Sequence, residues 1–430
     1  MRPEDWPAAL EQLDRQSRWQ TVSPDRVGLS DLMRIYDVPA ASIAVRQGGA
    51  QTWSHAYGTT PESIFQACSI SKHVAAFGAL RLVEQGVLDL DGDIDTRLVS
   101  WRLPESGGWR PMVTLRQLLA HTAGLSSNWF RGFRQQEPVP TITEVLRGEP
   151  PATSPPVRAT MLPGSSFRYS GSHYAVLQQL LEDVTGTGFA ELMQSLVLDP
   201  LGMAHSSYHQ DFPHRHGHVV PGHHVDGTPV TGGWRVQPEL AGAGLWTTPS
   251  DLCRVGVEIA RAATGRSTVL SRELAVEMIT PQVPDGYGLG TAVQPLRFGH
   301  TGGNVGYSCW LFTWPAADTT MALMLNNDMA NEVLWSVLAA ADHHYGRACV
   351  PQPVASTGAF RVRNGYTVTI TDDGGNLALH CPGQPPLRLI PLAEGGFRAA
   401  GLDCELTFED DGTVLRLRQQ DMTLTGIRQD

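Results

Sequence analysis

Phe65-Gln66-Ala67-Cys68-Ser69-Ile70-Ser71-Lys72-His73 is the stretch of sequence that decides the fold, and it contains the only lysine of the 430-residue chain. A short extended run precedes Ser69, and apolar residues recur at helical spacing over residues 73–84. The pattern predicts a strand-to-helix transition with Ser69 in the first helical turn. Positions i and i+3 share a helix face, so the Lys72 amine can reach the Ser69 hydroxyl. The stretch therefore predicts a serine nucleophile with a lysine base.

The rarity of lysine supports a chemical role for Lys72. Lysine and arginine together number 32, and all of them except Lys72 are arginine. A desolvated ammonium can lose its proton and act as a base, whereas a guanidinium with a pKa above about 12 stays charged. A Ser-x-x-Lys tetrapeptide also occurs by chance, so the motif alone is weak evidence. Its place at a helix start strengthens it, because the unpaired Ser69 N–H can face an oxyanion there.

Size, charge and cysteine usage narrow the functional classes. The length of 430 residues and the 41% hydrophobic content predict a globular protein of more than one domain. The formal net charge of −11 argues against nucleic acid and anionic membrane surfaces as partners. The acidic amino terminus and the lack of an apolar stretch of about 18 residues argue against a signal peptide or a membrane span. Together with six scattered cysteines, these features predict a cytoplasmic protein with reduced thiols.

The order of the predicted elements indicates two domains. Residues 1–350 are expected to form an α/β sandwich with a helical insertion at about 90–235. Its main elements are a hairpin at 41–57, the Ser69 helix, a helix from 248 to about 263 capped by Thr248, strands at 288–293, 297–301, 307–314 and 319–326, and a helix at 331–345. Residues 351–430 alternate short strands with Asp-Gly and Gly-Gly turns, which predicts a small antiparallel β-domain of the barrel or half-barrel kind. Its predicted strands lie at 366–370, 377–379, 387–389, 405–408 and 414–417.

Two further segments could complete a site around Ser69. Tyr169 precedes an amphipathic helix, and a loop tyrosine beside an ammonium group has its phenolate favoured and can relay protons. Residues 298–303 indicate an edge strand ending in glycines. There Thr301 and Gly302 let a substrate backbone approach, and the Gly303 N–H can donate to a carbonyl oxygen. Taken singly, packing explains Tyr169 better, and a plain turn explains the glycine segment better.

In this order and separation, the three segments resemble the serine β-lactamase-like superfamily over about residues 28–347. That superfamily includes class C β-lactamases, D-alanyl-D-alanine carboxypeptidases and family VIII esterases. Residues 118–125, 242–246 and 326–327 add to the resemblance. It implies a β-lactamase/transpeptidase-like fold with Ser69 as the nucleophile and Lys72 as the base.

The resemblance also assigns the other site residues. Tyr169 is the tyrosine of the Tyr-x-Asn element, and Gly171 stands where its asparagine would bind a substrate amide. His300 occupies the lysine position of Lys-Thr-Gly, which in β-lactamases would pair with the β-lactam carboxylate. Gly303 follows that triplet, and its N–H and that of Ser69 would hold the oxyanion. The changes at Gly171 and His300 argue against an efficient β-lactamase and fit esterase-like and transacylase members. The carboxy-terminal domain resembles the lipocalin-like appendage of some members, including non-ribosomal peptide cyclases.

No metal or cofactor is expected. Residues 89–95 look like a calcium loop, but the glycine is at the fourth position and Ser100 is at the twelfth. The histidines between 205 and 224 show no repeated spacing. His121 lies in a segment that resembles a structural turn of the family. Residues 306–310 lack the final glycine of Gly-x-Ser-x-Gly, which argues against an α/β-hydrolase.

The sequence thus predicts a cytoplasmic serine acyl-enzyme catalyst that cleaves a small-molecule ester or amide, with water as the acceptor. The alternative is an acyltransferase, either a transacylase or a peptide cyclase, that passes the acyl group to an amine. A β-lactamase or a carboxypeptidase acting on cell-wall peptides is less favoured, because no export signal is visible. A non-enzymatic member of the fold is also less favoured, because such a protein need not keep its single lysine.

Overall fold

A computed structural model of the chain describes residues 29–429, apart from 49–50, 106, 128–129, 285, 329, 347–356, 363–365, 374–375, 385, 392–395, 400–403, 410–411 and 420–421. The chain divides into two compact units, with the boundary between Trp335 and Ser336. The domain boundary predicted near residue 350 falls within residues 347–356. These lie outside the described residues, so that boundary stays a prediction.

The first unit is built on a six-stranded antiparallel sheet. Its strands in spatial order are β2 (Gln51–Tyr57), β1 (Ala41–Gln47), β8 (Thr319–Leu325), β7 (Tyr307–Trp314), β6 (Phe298–Asn304) and β5 (Ala292–Val293). The predicted hairpin is confirmed by the pairing of β1 with β2. β5 pairs only with Phe298 and Gly299 of β6. Within the described strands, the rest of β6 is therefore an open edge, as the sequence predicts.

Helices pack on this sheet and build the insertion, and the last helix of the series runs across the boundary between the two units. In chain order they are α1 (Leu29–Ile35), α2 (Ile70–Glu84), α3 (Leu115–Leu119), α4 (Ile142–Arg147), α5 (Gly171–Thr185), α6 (Phe189–Met193), α7 (Phe212–Arg215), α8 (Leu240–Ala243), α9 (Pro249–Ala263), α10 (Arg272–Met278) and α11 (Asn331–Gly346). Thr248 caps α9 by accepting a hydrogen bond from the Asp251 N–H, and α9 packs across β1, β7 and β8. The short strands β3 (Phe65–Gln66) and β4 (Trp246–Thr247) pair beside α2. None of the described helices has both the length and the apolar character needed to cross a membrane.

The second unit contains a closed antiparallel barrel of eight strands. They are β9 (Gly358–Val362), β10 (Thr367–Asp373), β11 (Asn376–His380), β12 (Leu387–Pro391), β13 (Phe397–Ala399), β14 (Cys404–Glu409), β15 (Val414–Gln419) and β16 (Met422–Arg428). Each strand pairs with the next in sequence, and β16 closes the barrel on β9. Buried apolar side chains such as Phe360, Phe397 and Leu415 fill its interior. The predicted α/β sandwich with a small barrel-like carboxy-terminal domain is confirmed.

The described cysteines are free thiols, as predicted. Cys68, Cys253, Cys309 and Cys404 are buried, and Cys381 is half-buried. Burial raises the pKa of the Cys253 and Cys309 thiols, so these two are protonated at neutral pH. Cys349 lies outside the described residues.

Candidate active site

Ser69 stands at the start of the buried helix α2. The preceding residue, Cys68, has a φ of +51°, a left-handed conformation that costs a non-glycine residue about 1–3 kcal/mol. Ser69 is the N-cap of α2, and serine at this position usually bonds a backbone N–H of the first turn. Its side chain makes no such capping bond. The hydroxyl is therefore left for other partners.

Lys72 supplies the first of these partners. Its Nζ lies 2.9 Å from Ser69 Oγ and donates to the Gly242 carbonyl at 2.7 Å. The side chain is buried, and desolvation lowers the pKa of the amine to about 7. A large share of the molecules then carry a neutral amine at neutral pH. Because Gly242 takes one N–H, the amine is oriented and its lone pair is left for the Ser69 proton.

Glu239 is an acidic neighbour of Lys72 that the sequence did not identify. It immediately precedes α8, is 2% exposed, and its Oε2 has no hydrogen-bond partner among the described residues. Burial raises the pKa of this carboxyl to about 7, although the Lys72 ammonium opposes the rise. In turn, the Glu239 carboxylate acts to raise the pKa of Lys72. The two groups therefore influence each other's protonation near neutral pH.

Tyr169 is the second partner of Ser69. The two side chains are hydrogen-bonded, and Lys72 Nζ lies 5.2 Å from the centre of the tyrosine ring. Burial raises the pKa of the phenol well above its ordinary value, against the opposing effect of the bond to Ser69. The expectation that a neighbouring ammonium would favour the phenolate is therefore wrong. Desolvation dominates, and Tyr169 is a neutral hydroxyl that can donate a proton.

A buried histidine pair packs behind Tyr169. The His121 ring lies 4.3 Å from the Tyr169 ring. His121 Nδ1 accepts from the Ser170 N–H at 3.3 Å and lies 2.9 Å from His173 Nδ1, so His173 Nδ1 carries the hydrogen of that pair. Burial lowers the pKa of both histidines, that of His173 to about 3. The neutral pair supports Tyr169 by packing, which agrees with the structural role expected for His121.

Strand β6 brings its glycines against the turn that carries Ser69. A Cβ at Gly302 would come within 2.7 Å of the Ala67 carbonyl and 2.8 Å of Cys68 Cβ. Only glycine therefore allows the strand to approach so closely. A Cβ at Gly303 would meet open space, so this residue lies on the accessible part of the edge. Thr301 is half-buried between His300 and the two glycines.

His300 is held by two protein partners. Its Nε2 lies 3.0 Å from the Tyr287 hydroxyl, and its Nδ1 lies 2.5 Å from the Thr301 carbonyl. A carbonyl can only accept, so Nδ1 carries the hydrogen and Nε2 accepts from Tyr287. Burial lowers the pKa of the imidazole to about 3. The position where the family carries a lysine is thus neutral at physiological pH, and both ring nitrogens are engaged.

The site lacks an amide side chain at Gly171, as the sequence indicates, and has an amide at Asn304 that the sequence analysis did not identify. Gly171 begins α5, is buried, and has no side chain to bind a substrate amide. Asn304, at the end of β6, was not predicted as a site residue. Its Nδ2 donates to Gln66 Oε1 at 2.8 Å and to the Ala243 carbonyl at 3.3 Å. These bonds tie the end of β6 to β3 and α8.

The structure thus brings Ser69, Lys72 and Tyr169 into contact and places the glycine end of β6 beside them.

The histidines at 205, 216 and 218 pack against one another's rings. Within the described part of the chain, no group of three or more histidine, cysteine or acidic side chains is arranged to hold a metal ion.

Comparison with known proteins agrees with this architecture. The Beta-lactamase family matches residues 29–338, so the chain belongs to the beta-lactamase family. It is similar to penicillin-binding protein 4* of Bacillus subtilis (strain 168), with 24% identity over 424 residues, which cover 86% of this chain and 90% of that protein.

Two solved structures share the fold. The octameric penicillin-binding protein homologue from Pyrococcus abyssi superposes with a TM-score of 0.60 at 22% identity, covering 92% of this chain and 98% of that one. The D-amino acid amidase from Ochrobactrum anthropi SV3, complexed with L-phenylalanine amide, gives 0.57 at 21% identity, covering 74% and 99%. The β-lactamase/transpeptidase-like fold is confirmed, and serine hydrolase is the class to which this fold and family assign the chain.

Proposed function

We propose that the protein is a serine acyl-enzyme hydrolase that cleaves a small-molecule amide or ester through Ser69, Lys72 and Tyr169. The observation that carries the proposal is the 2.9 Å contact between Lys72 Nζ and Ser69 Oγ. The pKa of the amine, lowered to about 7 by burial, makes it a base suited to neutral pH.

Acylation involves all three side chains. The neutral Lys72 amine takes the Ser69 proton as Oγ forms a bond to the substrate carbonyl carbon. The N–H groups of Ser69 and Gly303 stabilise the resulting oxyanion. Tyr169 donates its proton to the leaving nitrogen or oxygen as the bond to the acyl carbon breaks. The Lys72 ammonium then returns a proton to Tyr169, which leaves both groups neutral.

Deacylation uses Lys72 both to accept the proton of water and to return a proton to Ser69. A water molecule attacks the acyl carbon and gives its proton to Lys72. As the tetrahedral intermediate collapses, the bond to Ser69 Oγ breaks and Oγ regains a proton from Lys72. The products are the free acid and the resting enzyme.

The surroundings of Ser69 favour amides and esters over β-lactams. His300 is neutral and engaged with Tyr287 and Thr301, so it offers no cation to a carboxylate next to the scissile bond. We therefore assign His300 a positioning role through Thr301 on β6. The similarity in fold to a D-amino acid amidase supports amides as one substrate class.

Intact-mass spectrometry tests the proposal directly. Incubation with p-nitrophenyl acetate or a fluorophosphonate should add one acyl or phosphonyl group to the wild-type protein and none to Ser69→Ala. Ser195→Ala serves as a control, because the Ser195 hydroxyl donates to the Leu192 carbonyl of its own helical segment. An adduct on Ser69→Ala at the wild-type rate would refute the mechanism.

Acyl transfer to an amine is a second candidate. A cavity of about 510 Å³ is lined in part by Phe167 and Gln282. The Phe167 ring lies 5.4 Å from the ring of Tyr287, the partner of His300. The Tyr287 ring in turn lies 6.4 Å from the Tyr169 ring, so an amine acceptor would be held in this cavity, on the Tyr287 side of the site. Products should be analysed with and without benzylamine. Formation of the benzylamide at the expense of the free acid would support transfer, and free acid alone would support hydrolysis.

A further inference from the structure

Among the residues with described positions, three arginines of the first unit lie together with one opposing carboxylate. The charges of Arg131 and Arg134 both act on Arg235, and the one acidic group acting on it is Glu137. Glu137 Oε2 lies 3.8 Å from Arg131 Nη2 and accepts from the Arg134 backbone N–H at 2.9 Å. Three guanidinium groups thus share one carboxylate, which leaves the cluster positively charged at neutral pH.

One donor atom of the Arg235 guanidinium is buried without an acceptor among the described residues. This atom is Nη1. A buried donor left unsatisfied costs about 1–3 kcal/mol, and more when it is charged. Arg131 and Arg134 are exposed beside it. An oxyanion bonded to Arg235 would satisfy the donor and balance the cluster, and arginine suits planar, bidentate recognition of carboxylate or phosphate.

The backbone of Arg235 is fixed next to the turn that carries Ser69. Its carbonyl accepts a hydrogen bond of 2.7 Å from Gln66 Nε2. Gln66 precedes Ser69 by three residues, a separation of at most about 11 Å. The other end of the Gln66 amide accepts from Asn304, the residue after Gly303. The Arg235 backbone is therefore linked through Gln66 to the end of β6 that carries the proposed oxyanion donor Gly303.

Two residues near Arg131 and Arg134 in sequence, Phe133 and Ser126, are fixed by hydrogen bonds to other parts of the first unit. Phe133 and Val236 exchange backbone hydrogen bonds of 2.8 Å, which fix Phe133 beside Arg235. Seven residues earlier, the Ser126 carbonyl accepts from Ser170 Oγ at 2.7 Å, next to Tyr169. Ser126 thus lies on the Tyr169 side, and Phe133 lies beside Arg235 on the Gln66 side.

We propose that Arg235, together with Arg131 and Arg134, binds a carboxylate or phosphate group of the acyl donor while Ser69 attacks its carbonyl. The inference rests on the proposed acyl-enzyme function and specifies its substrates as acyl compounds that carry a remote anionic group. It also places the positive charge that binds a substrate anion at these arginines, because His300 is neutral. The anion lies away from the scissile bond, on the side of β3 and residues 131–137.

Matched esters test this subsite kinetically. The p-nitrophenyl monoesters of glutaric, adipic and suberic acids should be compared with p-nitrophenyl alkanoates of equal chain length. A charge-assisted hydrogen bond contributes about 1.5–3 kcal/mol, so kcat/KM for the best anionic ester should exceed that of its neutral match by roughly 10- to 100-fold. The ratio should fall towards one in Arg235→Gln and recover in part in Arg235→Lys. Arg215→Gln removes a surface arginine that pairs with Asp211, and it should keep the wild-type ratio.

A binding measurement separates the subsite from the catalytic proposal. Ser69→Ala protein should be titrated calorimetrically with glutarate and with inorganic phosphate, which distinguishes the two anion types. Binding that is weakened by Arg235→Gln and by about 0.5 M NaCl supports the subsite. Anion binding without turnover of any ester would refute the proposed function and keep the subsite. Turnover with a ratio near one at every chain length and no anion binding would refute the subsite and keep the function. A ratio that survives Arg235→Gln would also overturn the assignment.

Discussion

The barrel of the second unit and the surroundings of Ser69 in the first unit are both buried, but they bury different chemistry. The barrel interior consists of apolar side chains such as Phe360, Ile370 and Leu415. Around Ser69, the chain instead buries titratable groups, each at most 4% exposed. They are Lys72, His73, His121, His173, Glu239 and His300.

The comparison shows what burial does to these groups. Among the described residues, buried polar atoms without a hydrogen-bond partner include Nε2 of His73, His121 and His173 and Oε2 of Glu239. Such atoms are costly when charged. The pKa values accordingly move towards the neutral form, downward for Lys72 and the histidines and upward for Glu239 and Tyr169. The surroundings of Ser69 are thus a low-dielectric interior. Burying these polar groups lowers the free energy of unfolding, but it also gives an amine that can act as a base.

The largest expected effect comes from Lys72→Arg. The guanidinium keeps a positive charge and a donor beside Ser69 but cannot take its proton. The rate of acyl-adduct formation should fall by at least about 10³-fold, as judged from intact-mass time courses. Arg34→Lys, at an exposed position, is the matched control and should acylate normally. Retention of wild-type acylation by Lys72→Arg would show that the site does not need a neutral amine.

Tyr169→Phe should have a smaller effect that depends on the leaving group. A general acid contributes about 10²–10⁴-fold when the leaving group needs a proton. An amide should therefore lose about 10²-fold or more in kcat/KM, whereas a p-nitrophenyl ester, whose leaving group departs as an anion, should lose much less. Equal losses for both substrates would indicate that Tyr169 acts only through packing.

Leu415→Ala tests the barrel side of the comparison. Leu415 is fully buried, and such a truncation costs about 2–5 kcal/mol. Amide hydrogen exchange of β15 and β16 should report this loss as reduced protection, while the pH midpoint of Ser69 acylation stays unchanged. Ile427→Ala, at a position that is 53% exposed, should cost less than about 0.5 kcal/mol. Equal protection losses in the two variants would contradict a packed apolar barrel.

Glu239→Gln is expected to give the smallest effect. In the wild-type protein, acylation should rise with pH through about 7, as Lys72 loses its proton. It should then stay level, because the raised pKa of Tyr169 keeps the phenol protonated. The Glu239 carboxylate raises the pKa of Lys72, so its removal should move the rising limb to lower pH. A shift to higher pH would contradict the electrostatic coupling between the two residues.

Much of the first unit could be predicted because its signals are local. The cap and bounds of α9 match the helix predicted from Thr248 to about 263, and β7 matches the strand predicted at 307–314. In the barrel, β9, β13 and β16 were not identified individually. β13 has only three residues, and the pairing of β16 with β9 depends on closure between segments far apart in sequence.

The site residues also divide into those with a local sequence signal and those that depend on contacts between distant segments. The proximity of Ser69, Lys72 and Tyr169 could be predicted because they sit in short motifs. Glu239, by contrast, becomes relevant only because Lys72 reaches the Gly242 carbonyl, 170 residues away. The protonation state of Tyr169 was predicted wrongly because the sequence shows a neighbouring charge but does not show the depth of burial.

The central claim is that the Lys72 amine is neutral often enough to act as the base for Ser69. Because the chain contains a single lysine, protein labelled with ¹³C-lysine gives one side-chain CH₂–N signal, which can be titrated by NMR without assignment. The account predicts a titration midpoint near pH 7. A midpoint near 10.5, the ordinary value for lysine, would mean that the amine stays charged and that Ser69 has no base at this position.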